Sequence, residues 1–538
     1  MPRVRYQPPD RLPGAAHFAL DANLRGSLNA VKLIKSQKWV WDGLREACDL
    51  EVNYARHREP GHWELACVAF IVSKQIDIRP WWDETTDELW VACGFDGRPT
   101  YMTTWRRLRE LETIADEFLN AASVVIKRCK MHDSRVLAHV HFDYTEQETH
   151  AGLTHDCREG DVCSYAKAVK SGRVWGKSKR PVRASTSIAR EERHARSEED
   201  PETAAALEKK TAPKKTEIDG DIKRVRINGC WYRTRDLEAG IRAYTGKRGC
   251  KSFWHGYYSG KAVCHFTGTA IPSVDSASRN ECHLFPELLD RVGEMAGQFP
   301  ETAIADRGMS ISSCFEHATT KGVAPVFPWR KWGDGKRHDH ETHDRHGMKR
   351  SKHCGGPMEQ TRFSTNNGSP RLWFRCTTPF TAECEKEQTI SCKEEWRSLV
   401  PLAETEALYQ ELRLSHQTYE AVHGYWRTRF KAGGDSLANR PKVIGLAWHR
   451  LRANVACLMD WLLVAANCGW LGSKPSKRLR GKRKFKSRGE GEAARLGDLR
   501  ERWGLENPYG RIAKMLGLGD ELPPSEKPPP NTATAAPA

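Results

Sequence analysis

Val136-Leu137-Ala138-His139-Val140-His141-Phe142-Asp143 reads as a β-strand with an acid at its exit. Val136, Ala138, Val140 and Phe142 recur at period two and share one face, while Asp143 falls on the other. A second short apolar run, Thr302-Ala303-Ile304-Ala305-Asp306-Arg307-Gly308, again places an acid where the strand ends. A third acid, Glu420, lies in a helix expected over 405–431 and stopped by Gly433-Gly434. On that helix Glu420, His423 and Arg427 are spaced i, i+3, i+7 and share one face. By spacing alone Glu420 is an ordinary surface acid; the other two acids give it a role. Three such carboxylates suit two Mg²⁺ ions, or Mn²⁺, because these hard cations prefer oxygen. A metal pair activates an attacking oxygen and stabilises a leaving one in phosphoryl transfer. Asp143 is then expected to bridge both ions, with Asp306 and Glu420 taking one each. Water in the attacking position hydrolyses a DNA strand; a 3′-hydroxyl there joins it to another.

The charge balance fits such a partner. Across 538 residues, 86 Lys+Arg face 69 Asp+Glu, a formal charge of +17. Lys and Arg that neutralise phosphates release counterions, so this excess favours a polyanion such as double-stranded DNA. The length implies two or three domains. Nineteen Trp, sixteen Phe and 39% hydrophobic residues supply a core and exclude a wholly disordered chain. Met1-Pro2-Arg3-Val4-Arg5 leads into prolines rather than an apolar leader. The most apolar segment, 453–470, contains Asp460 and follows Arg450 and Arg452, so a buried helix is expected and no membrane span. With no export signal, the seventeen cysteines are expected to be reduced or metal-bound in a cytoplasmic protein.

Residues 1–130 read as a helical module. Trp63 to Val72 is an apolar run, and after Thr104 a helix carries Trp105, Leu108, Leu111, Ala115 and Phe118 on one side. Arg106, Arg107 and Arg109 lie largely off that side and are candidates for DNA-end contact, a plain solvated basic face being the blander reading. Residues 131–166 begin an α/β core, and 167–216 form a charged linker with Pro181, Pro201 and Pro213. The core resumes over 217–332. There the spacing predicts a hairpin at Asn228-Gly229, strands over 253–258 and 261–266 with a turn at Ser259-Gly260, and a helix over 281–295. Residues 333–400 hold a His-rich loop (His338, His340, His343, His346) and a cysteine-rich, zinc ribbon-like insertion. In the latter Cys354, Cys376, Cys384 and Cys392, with a Gly-Gly turn after the first, suit a structural Zn²⁺. Residues 401–472 supply closing helices, and 473–538 a basic and then Pro-rich tail.

Three motifs carry a family resemblance: Phe142-Asp143-Tyr144-Thr145, Ala305-Asp306-Arg307-Gly308, and Tyr419-Glu420-Ala421-Val422-His423 followed by Arg427-Thr428-Arg429-Phe430. Between them, Tyr232-Arg233-Thr234-Arg235-Asp236-Leu237-Glu238-Ala239, Thr245-Gly246-Lys247 and Phe285-Pro286-Glu287-Leu288-Leu289-Asp290 add to it. Downstream, Trp448-His449-Arg450-Leu451-Arg452-Ala453-Asn454 resembles a closing helix. Over roughly residues 60–470 the chain resembles DDE transposases of bacterial insertion sequences. That resemblance implies an RNase H-like core with a mixed five-stranded sheet flanked by helices, and Asp143, Asp306 and Glu420 as the catalytic metal-binding acids. It further implies Arg427 and Arg429 as DNA contacts and a homodimer assembled on DNA. The expected activity is metal-dependent cleavage at the ends of a mobile element and their transfer to target DNA. Two other expectations stay open: a DNA-binding zinc protein with an inactive core, and a nuclease that hydrolyses without joining. Asp219, in Glu217-Ile218-Asp219-Gly220, is a rival first acid, because the linker after Asp143 is longer than is usual in the family.

Overall fold

A computed structural model describes residues 26–51, 62–148, 151, 153–157, 216–227, 230–245, 251–328, 349–364, 371–379, 382, 386–391, 396–398, 407–431 and 445–471. The fold is mixed α/β. Among the described residues seven α-helices precede the first strand: α1 (Ser27–Ser36), α2 (Lys38–Glu51), α3 (His62–Val72), α4 (Ile78–Glu84), α5 (Asp87–Cys93), α6 (Tyr101–Glu110) and α7 (Ala115–His132). The quoted strand becomes β1 (His139–Glu148), starting three residues later than its apolar pattern because Leu137 takes a left-handed φ of 61°.

The main sheet is built around β1. On one side β1 pairs antiparallel with the C-terminal half of β7 (Lys251–Cys264), whose other edge pairs antiparallel with β8 (Ala270–Ser276). The N-terminal half of β7 pairs with β6 (Gly240–Thr245). On its other side β1 runs parallel to β9 (Thr302–Ala305), which runs parallel to β10 (Ala324–Val326). The order β8-β7-β1-β9-β10 supplies five mixed strands, and β6 is a sixth.

One local expectation fails instructively. Ser259-Gly260 is no turn; it lies inside β7, a single strand of 14 residues. Glycine is needed there because a Cβ would come 2.4 Å from the Tyr144 ring across the β1 pairing. A side chain was absent to make room for an aromatic, not to bend the chain.

Two helices sandwich this sheet. The first, α8 (Glu281–Ala296), buries Leu284, Leu288, Leu289, Val292 and Met295, the residues whose helical spacing predicted it. Pro286 inside α8 removes the N–H that would bond the Cys282 carbonyl; the Cys314 thiol donates to that carbonyl instead, at 3.3 Å. A short helix, α9 (Ser312–Thr320), follows β9. The opposite face of the sheet is crossed by α10 (Ala407–Arg429). The last described helix, α11 (Leu446–Cys468), packs against α7 and β8. It is long and apolar enough to cross a membrane by length and composition, but 89% of its apolar window is buried inside the fold, as in a core helix.

The described helices before β1 do not form a module with a core of their own. One continuous hydrophobic cluster includes Phe70, Trp81 and Trp90, Phe118 and Val125 of α7, Phe142 and Phe285 around the sheet, and Leu458 and Trp461 of α11. Asn454 of α11 donates to the Ala115 carbonyl at 2.9 Å, capping that contact. Trp105, expected on the buried side of its helix, is 42% exposed; Thr104 is buried in its place.

Two smaller sheets lie off the main one. The expected hairpin forms as β4 (Ile222–Ile227) and β5 (Cys230–Thr234), but with β2 (Thr154–His155) and β3 (Thr216–Asp219) it makes a separate sheet of order β2-β5-β4-β3. It was expected within the core, and alternation alone does not say which sheet a strand joins. The cysteine-rich stretch gives β11 (Met358–Ser364), β12 (Arg371–Cys376) and β13 (Gln388–Ser391), antiparallel in that order. The expected charged linker up to residue 215, the four loop histidines, Gly433-Gly434 and the basic and Pro-rich tail lie outside the described residues.

Candidate active site

Period-two geometry aims the two strand acids at the same helix. In β1, Val140 and Phe142 are buried on the α8 side, where Phe142 meets Phe285 edge-on with centroids 5.0 Å apart. His141 and Asp143 therefore point to the α10 side. In β9, Ile304 packs with Val326 of β10 and with Tyr409 and Leu412 of α10, so Asp306 emerges on that side too. The parallel register pairs Phe142 with Ala305, so the next residues, Asp143 and Asp306, leave neighbouring strands side by side. Both line one cavity of about 320 Å³, with Phe142, Glu281, Arg307, Gly308, Met309 and Arg413.

Helix α10 runs across this pair. Arg413 Nη2 lies 3.1 Å from Asp306 Oδ1, and His416 Nε2 lies 3.7 Å from the same oxygen. Two turns on, His423 Nε2 approaches Asp143 Oδ2 at 3.1 Å. Position 420 stands one turn after His416 and one turn before His423, between the residues that touch the two aspartates. The Glu420 side chain itself lies outside the described residues.

Behind Asp143 is a buried polar chain. Lys261, paired with Asp143 across the β1–β7 ladder, is fully buried and its Nζ donates to His423 Nδ1 at 3.0 Å. Burial lowers the Lys261 pKa to about 7, against the pull of Asp143. Burial and the nearby Lys261 charge lower His423 to about 4, so its ring is neutral. With Nδ1 accepting from Lys261, the proton sits on Nε2 and faces the carboxylate. Burial pushes the Asp143 carboxyl up, but His423, His416 and the Tyr144 N–H, which donates at 2.8 Å, hold it below its ordinary value. A second chain lies behind Asp306: His265 Nδ1 to His141 Nε2 at 3.0 Å, then His141 Nδ1 to His416 Nδ1 at 3.2 Å. Burial lowers the His416 pKa as well, against the opposing pull of Asp306.

Asp143 and Asp306 line the same cavity, and each carboxylate has a basic neighbour on α10, His423 for Asp143 and Arg413 for Asp306. Glu281 is a carboxylate that the sequence reading missed; it lines the cavity and accepts from Tyr258 Oη at 2.8 Å. It opens α8 with no motif around it. His416, Lys261 and Arg413 were missed as well, since each is brought to the site only by tertiary contact.

The other expected residues fall elsewhere. Asp219 ends the exposed strand β3 of the separate sheet and does not line this cavity, so it is no rival to Asp143 at this site. Arg429, expected on DNA, is buried and donates to the Val72 carbonyl at 3.4 Å; the last turn of α10 rotates it inward onto α3. Arg427 is half-buried, and its charge acts on Lys261 and His423 rather than standing clear on the surface. Arg106 and Arg107 form the solvated face of α6, each paired to Glu110, at 3.8 and 2.7 Å. Of the four expected zinc ligands, Cys354 and Cys376 meet with their sulfurs 3.5 Å apart, and the Gly356 N–H donates to Cys354 Sγ at 3.3 Å. Cys384 and Cys392 lie outside the described residues. A different group of metal-ligating side chains, His155, Cys157 and Cys230, is gathered in the small four-stranded sheet. Compared with known proteins, the chain matches no family model, no curated protein and no solved structure.

Proposed function

We propose that this protein is a DDE-type transposase, cutting the ends of a mobile DNA element and joining them to a target. One observation carries the reading: Asp143 and Asp306 leave adjacent parallel strands in register, under a helix that bears position 420 between their two contacts. The strand order β8-β7-β1-β9-β10, antiparallel up to β1 and parallel beyond it, supports an RNase H-like core. The formal charge of +17 supports a polyanionic substrate.

In this reading Asp143, Asp306 and Glu420 hold Mg²⁺, which when bound supplies Lewis-acid stabilisation of the attacking and leaving oxygens. The chain's own residues prepare that site. His423, fixed by Lys261, keeps Asp143 oriented and ionised. Arg413 balances the charge of Asp306. The sandwich of α8 and α10 fixes the separation of the two strand acids, so little reorganisation remains at the moment of reaction. In the same reading a structural zinc held by Cys354, Cys376, Cys384 and Cys392 stabilises the β11–β13 insertion and need not touch chemistry.

The test is strand cleavage and joining by purified protein on labelled element ends with a target plasmid in Mg²⁺. Joined product that disappears in Asp306→Asn while end binding persists supports the proposal. Hydrolysis without joining makes the protein a nuclease, and undiminished cleavage by Asp306→Asn removes the site assignment.

A further inference from the structure

We propose that His155, Cys157 and Cys230 form a zinc site that staples the β2–β5 sheet. Their ligand atoms, one imidazole nitrogen and two sulfurs, all lie within 4.8 Å of one another. Tetrahedral zinc, with bonds of about 2.3 Å to sulfur and about 2.0 Å to nitrogen, holds such donors about 3.5–3.8 Å apart. Small side-chain rotations close that gap. Soft sulfur with imidazole selects zinc over magnesium, so this site and the carboxylate pocket take different ions.

The frame around the three ligands is already built. Cys157 and Cys230 come from opposite sides of the β2–β5 pairing, in which Thr154 faces Arg233 and His155 faces Tyr232. Past the end of β2, the Asp156 N–H donates to the Trp231 carbonyl at 2.9 Å. The Trp231 N–H returns a bond to Cys157 Sγ at 3.3 Å, the kind of outer-shell donor that stabilises a metal-bound thiolate. The buried Arg224 fixes the loop from the other side, donating from Nε to Asp156 Oδ2 at 2.8 Å and from Nη2 to the Asp156 carbonyl at 3.0 Å. It also stacks on Trp231, 4.9 Å from the ring centroid. Cys230 is buried and Cys157 half-buried, while His155 stands on the open side of the cluster.

The sheet also has a reason to need a staple. β2 has two residues, both exposed, and all four residues of β3 are exposed. Within β4 and β5 only Val225, Cys230 and Trp231 are buried hydrophobic residues. So small a core seldom stabilises a sheet alone, and a structural metal is a common remedy. Three protein donors leave one tetrahedral position for water or a donor from outside the cluster.

The test uses the full-length protein. Its zinc content is measured by mass spectrometry of the metal, followed by replacement with Co²⁺. Expected is roughly one tightly bound Zn²⁺ per chain assigned to this cluster, with cobalt d–d and thiolate charge-transfer bands of a tetrahedral sulfur site. Cys157→Ser and Cys230→Ser each lose that one equivalent and its share of the bands; Cys354→Ser, in the other cysteine group, leaves this cluster's equivalent in place. Should the serine variants fail to fold, wild-type protein decides. Alkylation mapped by peptide mass should then mark Cys157 and Cys230 faster after a chelator than before it. Metal content and cobalt bands unchanged in both serine variants would overturn the proposal. So would chelator-independent alkylation, or recovery of Cys157 and Cys230 as a disulfide.

Discussion

At the scale of single residues, two positions have consequences that can be measured. The Asp306 side chain contacts Arg413 and His416 and is 55% exposed. Asp306→Asn should leave the melting temperature within a few degrees while lowering cleavage on the order of 10²–10³-fold or more, the scale of losing one group that stabilises transition-state charge. A melt and a cleavage time course on the same preparation check both halves. Gly260 is the opposite case, a purely steric requirement. Gly260→Ala puts a methyl 2.4 Å from the Tyr144 ring, which is buried and stacked on Tyr258. Overpacking of that kind costs about 1–3 kcal/mol, read as a lowered urea midpoint. Shrinking Tyr144 to Leu in the same chain should recover part of it, and failure to do so would rule out the clash as the cause.

Elements respond to pH and to cavities. On α11, His449 is fully buried, lies tilted against Tyr257 and takes a 2.6 Å contact at Nδ1 from Gln147. Burial lowers its pKa from 6.5 to about 3, and burial lowers His255 of β7 to about 4. Each must be neutral when folded but charges freely when unfolded. Their contribution is therefore complete above pH 6.5 and lost as pH falls toward the folded values. Between pH 6.5 and pH 5 each should remove about 2 kcal/mol of stability. Urea melts across that range should slope downward with acid; His423, lowered to about 4, adds to the slope, so His449→Asn should flatten it by about a third or less. Leu288→Ala on α8, at a side chain with no exposure, should cost about 2–5 kcal/mol. An equilibrium melt that moved by less than 1 kcal/mol would mean α8 repacks.

For the whole molecule, the shared core makes a stronger claim than any one helix. Because α7 and α11 pack face to face and one apolar cluster runs from α3 to the sheet, residues 133–471 should not fold without residues 26–132. A fragment lacking the first 132 residues should be rapidly proteolysed and show no cooperative melt. A stable fragment would restore the picture of an independent N-terminal module. The same continuity puts Arg429, implied by the resemblance as a DNA contact, against α3 instead. Trp105 shows the limit of periodicity, because a helical wheel does not say what covers which side.

The sequence by itself determined the local structure and the chemistry on offer. Period two in β1 fixed the face of Asp143, a short apolar run marked β9 ahead of Asp306, helical spacing marked α8, and the stretches that became α10 and α11 read as helices. These signals are legible because they depend only on near neighbours. Only the tertiary structure decided that the two acids stand side by side, since parallel register between strands about 160 residues apart is set by packing and leaves no local trace. It alone supplied Lys261, His416, Arg413 and Glu281 around them, and sent Asp219 to another sheet. Likewise, the zinc-type cluster joins His155 and Cys157 to Cys230, more than seventy positions away. Spacing rules see ligands close in sequence; a hairpin closing on a distant strand brings together ligands that are close only in space.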